Sequence, residues 1–328
     1  MPDRSVRLLL RSVACAVCAG CLAACSATNS NHFTDGTGAT TGGTGGGGTV
    51  ATGSGADGTG GMTSVGFLDG GLPDGTTGDT NCAAATQYVY TLAADNSLYK
   101  FDPPTLTFTL IGVLDCPNPL ASPYSMAVDR NAGAWTVFTD GSLYQVDTSN
   151  AHCTATSYVS GQQGWSTFGM GFSADSPGGT SETLYVSEAA FGGSSNTKGL
   201  GKIDLTTMTL TPIGMYDKVD ARAELTGTGD AQLFGAFEGT PYDVAQIDKT
   251  TAQILSQAPQ TAISYAPDSS NFAFAFWGGD FWLFVGPGTS TDVFHYVVAT
   301  QTTTKVKTVS MEIVGAGVST CAPIAPQQ

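Results

Sequence analysis

The sequence predicts an all-β fold: a five-bladed β-propeller closed by its C-terminal strand, following a signal peptide and a disordered Gly-rich tether. Three observations predict it. One two-strand unit recurs five times between Cys82 and about Pro323. The first copy lacks the innermost strand that the other four possess, and an orphan apolar strand stands at the end of the chain. The low-complexity stretch from Ser26 to Asn81 cannot bury enough surface to fold.

The recurrent unit is a strand that ends on a turn residue, a short Thr/Pro-rich turn and a second strand. Its copies read "SLYKFDPPTLTFTLIG" from Ser97, "SLYQVDTSNAHCTATSYV" from Ser142, "GLGKIDLTTMTLTPIG" from Gly199 and "DVAQIDKTTAQILSQ" from Asp243. A degenerate fifth, "VFHYVVATQTTTKVKTV", starts at Val293. The first strand ends at Asp102, Asp147, Asp204, Asp248 and, in the last copy, Val298. Spacings of 45, 57, 44 and 50 residues, with several short alternating strands per copy, are those of propeller blades. The recurrent Asp is expected to cap its turn, where a carboxylate accepts hydrogen bonds from nearby backbone N–H groups.

Two further strands precede each of the last four copies: "YSMAVD" and "AWTVFT", "TFGMGFS" and "TLYVSE", "ELTGTGD" and "LFGAFE", "FAFAFW" and "FWLFVG". The first copy has only "QYVYTLA", Gln87–Ala93. The missing strand is expected to be "IVGAGVS", Ile313–Ser319, inserted beside the start of the domain so that the ring leaves no open inner edge. Cys321 then follows that strand and Cys82 precedes its partner, positions that flank one tight turn in an ordinary blade. Of the three connectivities open to four cysteines, closure selects Cys82–Cys321 and leaves Cys116 with Cys153. Both bonds require an oxidising, exported setting.

The start of the chain supplies that setting. Arg4, Arg7 and Arg11 form a basic region, and Ser12–Ala24 is apolar but too short to span a bilayer. Leu22-Ala23-Ala24-Cys25 resembles the lipobox of exported bacterial lipoproteins. The resemblance implies removal of residues 1–24 and lipidation of Cys25, with diacylglycerol on the thiol and an acyl chain such as palmitate on the new amine. Two or more chains anchor stably where one does not. Ser26 stands where an inner-membrane retention Asp is often found, so the outer membrane of a Gram-negative cell is the expected address. The spacing of Cys15, Cys18, Cys21 and Cys25 mimics an iron–sulfur motif, but it lies in the cleaved or lipidated segment and lacks the following Pro.

Residues 25–81 comprise the lipidated cysteine and a Gly/Thr-rich tether with a root-mean-square span of roughly 40 Å. Residues 82–323 form the propeller and residues 324–328 a tail. As a whole, the chain resembles bacterial surface lipoproteins with a WD40-like or NHL-like β-propeller, although no Trp-Asp or Gly-His pair recurs. Acids outnumber bases 27 to 12, and no base occurs between Arg11 and Lys100. Nucleic acid, which needs a basic face, is excluded as a partner.

Small residues alternate with large ones in the inner strands: Ser125/Ala127, Gly169/Gly171, Thr226/Thr228, Ala273/Ala275 and Gly315/Gly317. These are expected to face the crowded axis. One step further, the same parity gives Asp129, Ser173, Asp230, Trp277 and Ser319, a ring of candidate ligand-binding residues at one mouth. Thr167, Glu224 and Asn271 fall at the other. Turn capping is the competing role for Asp129 and Asp230. No residue is assigned as catalytic: the ring supplies two carboxylates, and no Ser-His-Asp set is visible. His32, His152 and His295 make no paired metal spacing. Trp135, Trp165 and Trp282 are expected to pack within blades, and no cofactor is implied. The expected function is a membrane-anchored binding or scaffold module for a glycan or protein partner. A glycan-cleaving hydrolase and a purely structural envelope protein are the alternatives.

Overall fold

The computed structural model describes residues 82–118, 120–189, 198–266 and 271–325. The expected signal peptide, Cys25, the expected tether and residues 326–328 lie outside them. Among the described residues, twenty strands form five four-stranded antiparallel sheets. From axis to rim, blade 1 is β20 (Ile313–Val318), β1 (Val89–Ala93), β2 (Ser97–Asp102) and β3 (Thr107–Val113). Blade 2 is β4 (Pro123–Val128), β5 (Gly133–Phe138), β6 (Leu143–Asp147) and β7 (Cys153–Ala155). Blade 3 is β8 (Phe168–Ala174), β9 (Glu182–Glu188), β10 (Leu200–Asp204) and β11 (Thr209–Gly214). Blade 4 is β12 (Ala223–Gly227), β13 (Leu233–Phe237), β14 (Tyr242–Ile247) and β15 (Ile254–Gln260). Blade 5 is β16 (Asn271–Trp277), β17 (Asp280–Gly286), β18 (Thr291–Val297) and β19 (Thr302–Val309).

The last strand closes the ring as expected. β20 pairs antiparallel with β1, with Val318 opposite Val89 and Gly315 opposite Leu92. Cys82 and Cys321 are bonded across that closure, and Cys116 is bonded to Cys153. The second bond ties the chain leaving blade 1 to the outer strand of blade 2.

Because each sheet buries both faces, the core is distributed between blades. Tyr90, Leu92 and Leu98 of blade 1 pack on Met126, Val128, Phe138 and Val146 of blade 2. Phe274, Phe281, Leu283 and Tyr296 of blade 5 pack on Phe234, Tyr242 and Val244 of blade 4. Trp135 and Trp165 are buried between blades 2 and 3, and Trp282 between blades 5 and 1.

The recurrent aspartates cap the outer turns. Asp204 Oδ1 accepts from the N–H groups of Thr206 and Thr207 at 2.8 and 3.0 Å, and Asp248 Oδ1 from those of Thr250 and Thr251 at 2.8 and 3.1 Å. Asp147 Oδ1 accepts from Ser149 N–H at 2.8 Å, and Asp102 from the Thr105 hydroxyl at 2.5 Å. These bonds favour the ionised form and pull Asp147, Asp204 and Asp248 below the usual carboxylate range. Four residues past each anchor the backbone is left-handed: Leu106, Ala151, Met208, Ala252 and Gln301. That count corrects one expectation. The fifth anchor is Val297, not Val298: Val297 pairs with Thr302 as Asp102 pairs with Thr107. Without a capping Asp, the sequence of this copy offers no landmark for the exact residue.

Candidate functional site

The inner strands approach the axis closely enough that side chains are nearly excluded. A Cβ on Gly169 would stand 2.0 Å from the carbonyl oxygen of Ala223, and one on Gly171 2.7 Å from the backbone of Leu225. Glycine is therefore a steric requirement where β8 passes β12. The remaining space is filled: Ser125, Ala127, Thr226, Ala273 and Ala275 are all buried. Thr226 Oγ1 accepts from the Phe276 N–H at 3.0 Å, joining blades 4 and 5.

Four of the five residues of the predicted ring are buried and bonded to protein groups. Asp129 Oδ1 accepts from the N–H groups of Asn131 and Gly133 at 2.9 and 2.8 Å, and its Oδ2 from the Trp135 indole at 3.1 Å. Ser173 donates to Gln232 O at 2.9 Å and accepts from Lys249 Nζ at 3.3 Å. The Trp277 indole donates to Gln87 O at 2.7 Å, and Ser319 Oγ accepts from Cys321 N–H at 3.1 Å. These four side chains are buried; Asp129 and Ser319 bond within their own turns, while Ser173 reaches blade 4 and Trp277 the segment before β1. Asp230 is half-buried, and burial raises its carboxyl pKa. Strand parity placed these residues at one end of the axis; it carried no information on how the turns fold over them.

That end is closed by a clasp absent from the sequence reading. Arg130, on the β4–β5 turn, is buried to 8% exposure and donates to Gly179 O at 2.9 Å and to Thr320 Oγ1 at 3.5 Å. Its Nη2 lies 3.8 Å from Cys82 Sγ in the closing disulfide. Glu182 accepts from Arg130 N–H and from the Thr320 hydroxyl, each at 2.7 Å. Burial pushes the Glu182 pKa up to about 7 against those two bonds. Blades 1, 2 and 3 are thus tied together over the axis.

The opposite end holds Glu224, 3% exposed, whose Oε2 accepts from the Ser125 hydroxyl at 2.6 Å, reaching from blade 4 to blade 2. Burial drives its pKa well above the usual carboxylate range. Above it, Arg222 forms a two-pronged ion pair with Glu238, with Nη2–Oε1 at 2.7 Å, and its Nη1 lies 3.5 Å from Tyr124 Oη. The Phe272 ring lies under the guanidinium at 5.2 Å. Burial raises the Tyr124 phenol to about 12. Parity indicated Glu224 at this end. Arg222 and Glu238 carried no such signal, because they lie just outside β12 and β13.

An accessible groove lies at the side of the disc, between blades 1 and 2. The groove, of about 370 Å³, is lined by Tyr88, Lys100, Thr109, Leu110 and Thr148, among others. Lys100 Nζ stands 4.3 Å over the Tyr88 ring. Leu110 is 55% exposed and Val113 59%. No sequence motif marks this groove; it arises where the β6–β7 turn of blade 2 faces the row Tyr90, Lys100, Thr109 across blade 1.

His152 Nδ1 pairs with Asp115 at 2.7 Å, and His295 Nε2 with Asp280 at 2.9 Å while stacking on Trp282. Among the described residues, no three His, Cys, Asp or Glu side chains converge as a metal site.

No family model and no curated protein matches the chain. Solved propellers do. A chain of a nidogen/laminin complex is 12% identical, with 70% of this chain and 97% of that one covered at a TM-score of 0.44. The Dos1 propeller is 14% identical, with coverages of 69% and 56% and a TM-score of 0.37. A streptogramin B lyase is 18% identical, with coverages of 68% and 66% and a TM-score of 0.38. The class of the protein is defined by its own topology: a five-bladed β-propeller with a disulfide-stapled closure.

Proposed function

We propose that this protein is a lipid-anchored binding or scaffold propeller at the outer membrane of a Gram-negative bacterium, recognising a protein or glycan partner through the side of its disc. The observation that carries the reading is the groove between blades 1 and 2. It offers an aromatic side chain, hydroxyls, the exposed Leu110 and a cation in one accessible place. Such a mix, with orienting polar groups on an apolar floor, is the chemistry of recognition surfaces. The ring proposed at the mouth is not needed for it, since four of its members are buried and bonded to protein groups. The lipobox around Cys25 and the basic n-region support the address.

The test is a glycan-array and protein-ligand screen on the mature chain, repeated with Tyr88→Ala and Lys100→Ala. Ligands retained by the wild type and lost by both variants support the groove. Ligands unaffected by either variant refute it.

One observation favours a hydrolase as a second reading. Glu224 is a carboxyl whose pKa burial raises, in the neighbourhood of the Arg222–Glu238 pair, and a raised carboxyl pKa is what a general acid requires. Turnover of a glycan substrate that disappears in Glu224→Gln, with binding retained, would establish it.

A further inference from the structure

Among the described residues no strand lies beside the outer edge of any blade, and four of the five outer strands carry a device that discourages pairing. β7 has only three residues and is held by the Cys116–Cys153 bond. β11 and β15 contain Pro212 and Pro259, and β19 contains Lys305 and Lys307. Short length, proline and lysine are the standard ways of blunting an edge. β3 reads "TFTLIGV", seven residues with neither proline nor charge, and two of its aliphatic side chains are more than half exposed. A one-residue bulge interrupts β3 at Ile111, but β11 has the same bulge at Ile213, so it does not distinguish the two.

The register makes the comparison residue by residue. Asp102 pairs with Thr107 and Tyr99 with Leu110; Asp204 pairs with Thr209 and Gly201 with Pro212. Leu110 therefore occupies in blade 1 the position that Pro212 blocks in blade 3. A strand added outside β3 would extend the row Tyr90, Lys100, Thr109 by one more residue, whose side chain would lie over the groove. Strands stand about 4.8 Å apart, so that side chain would be within reach of the Lys100 ammonium. Among the described residues no carboxylate pairs with Lys100, whose partner is the Tyr88 ring, in a chain of net charge −15.

We propose that the β3 edge docks an extended segment of a partner protein by strand addition, with an acidic side chain over Lys100 and β-branched residues beside it. This rests on the binding-module reading and names its partner class. Backbone hydrogen bonds would supply affinity, and the alternate side chains specificity.

The experiment uses the mature chain and a fluorescein-labelled peptide, TVDVTVT, with TVKVTVT as its charge-reversed counterpart. Saturable binding of the acidic peptide below about 1 mM is expected. Leu110→Pro should weaken it roughly tenfold or more by removing an edge donor. The melting temperature should hold, because blade 3 already accommodates proline at this position. Lys100→Glu should reverse the preference between the two peptides. No saturable binding to the wild type, or equal binding to Leu110→Pro, overturns the proposal. So does binding that emerges only when residues 63–69 are deleted, since the occupant would then be the chain's own "TSVGFLD". A glycan that binds and depends on Tyr88 while both peptides fail would leave the binding-module reading standing and sink strand addition alone.

Discussion

Removing the Cys82–Cys321 bond should cost more stability than removing Cys116–Cys153, although both are single cross-links in one domain. The bonds close loops of 239 and 37 residues. Releasing such constraints returns chain entropy to the unfolded state, and the loop-length relation gives about 5.5 and about 3.8 kcal/mol. The closing bond also holds β20 beside β1 and touches the Arg130 clasp, so its loss loosens native contacts as well. At roughly 2–4 °C per kcal/mol for a domain of this size, Cys82→Ser/Cys321→Ser should melt about 10–20 °C below the wild type. Cys116→Ser/Cys153→Ser should fall between them. Urea melts monitored by tryptophan fluorescence give both free energies, and the double variants avoid a stray thiol. Equal losses, or a larger loss for the shorter loop, would refute the reasoning. So would a closing bond worth under about 1 kcal/mol, because the unfolded chain would then gain little from its release.

Two further outcomes follow from the clasp and the anchor. The Glu182 pKa is raised on folding from about 4.5 to about 7, so the native state binds the extra proton between those values, and the group's contribution to stability falls as pH rises through them. Glu182→Gln should therefore stabilise relative to the wild type by up to about 3 kcal/mol at pH 8 and by little at pH 4; a difference independent of pH would contradict this. Cys25→Ala should leave the precursor uncleaved by the lipoprotein signal peptidase and release the protein from membrane fractions, and normal acylation of that variant would reject the lipobox.

The blades were legible because a repeat exposes itself. Asp102, Asp147, Asp204 and Asp248 sit at matching turns, and the missing strand of the first copy pointed straight to Ile313–Val318. The disulfide pairing followed from that closure alone. What strand parity indexes is one strand, not the turn beyond it. Parity picked out Asp129 and Trp277 but not their partners, which are backbone and indole groups on turns and on the entry segment. Arg130 and Glu182 were invisible for the same reason: their contacts join three blades. The groove at Tyr88 and Lys100 depends on how blade 2 faces blade 1, a packing relation with no linear signature.

The central functional claim is that recognition occurs at the side of the disc and not at the mouth. Site-specific photocrosslinking in cells tests it directly, with a benzophenone side chain installed at position 110 or at position 230. The account predicts a discrete crosslinked species from position 110, lost when Lys100→Glu is added, and none from position 230. A species from position 230 with none from position 110 would contradict it.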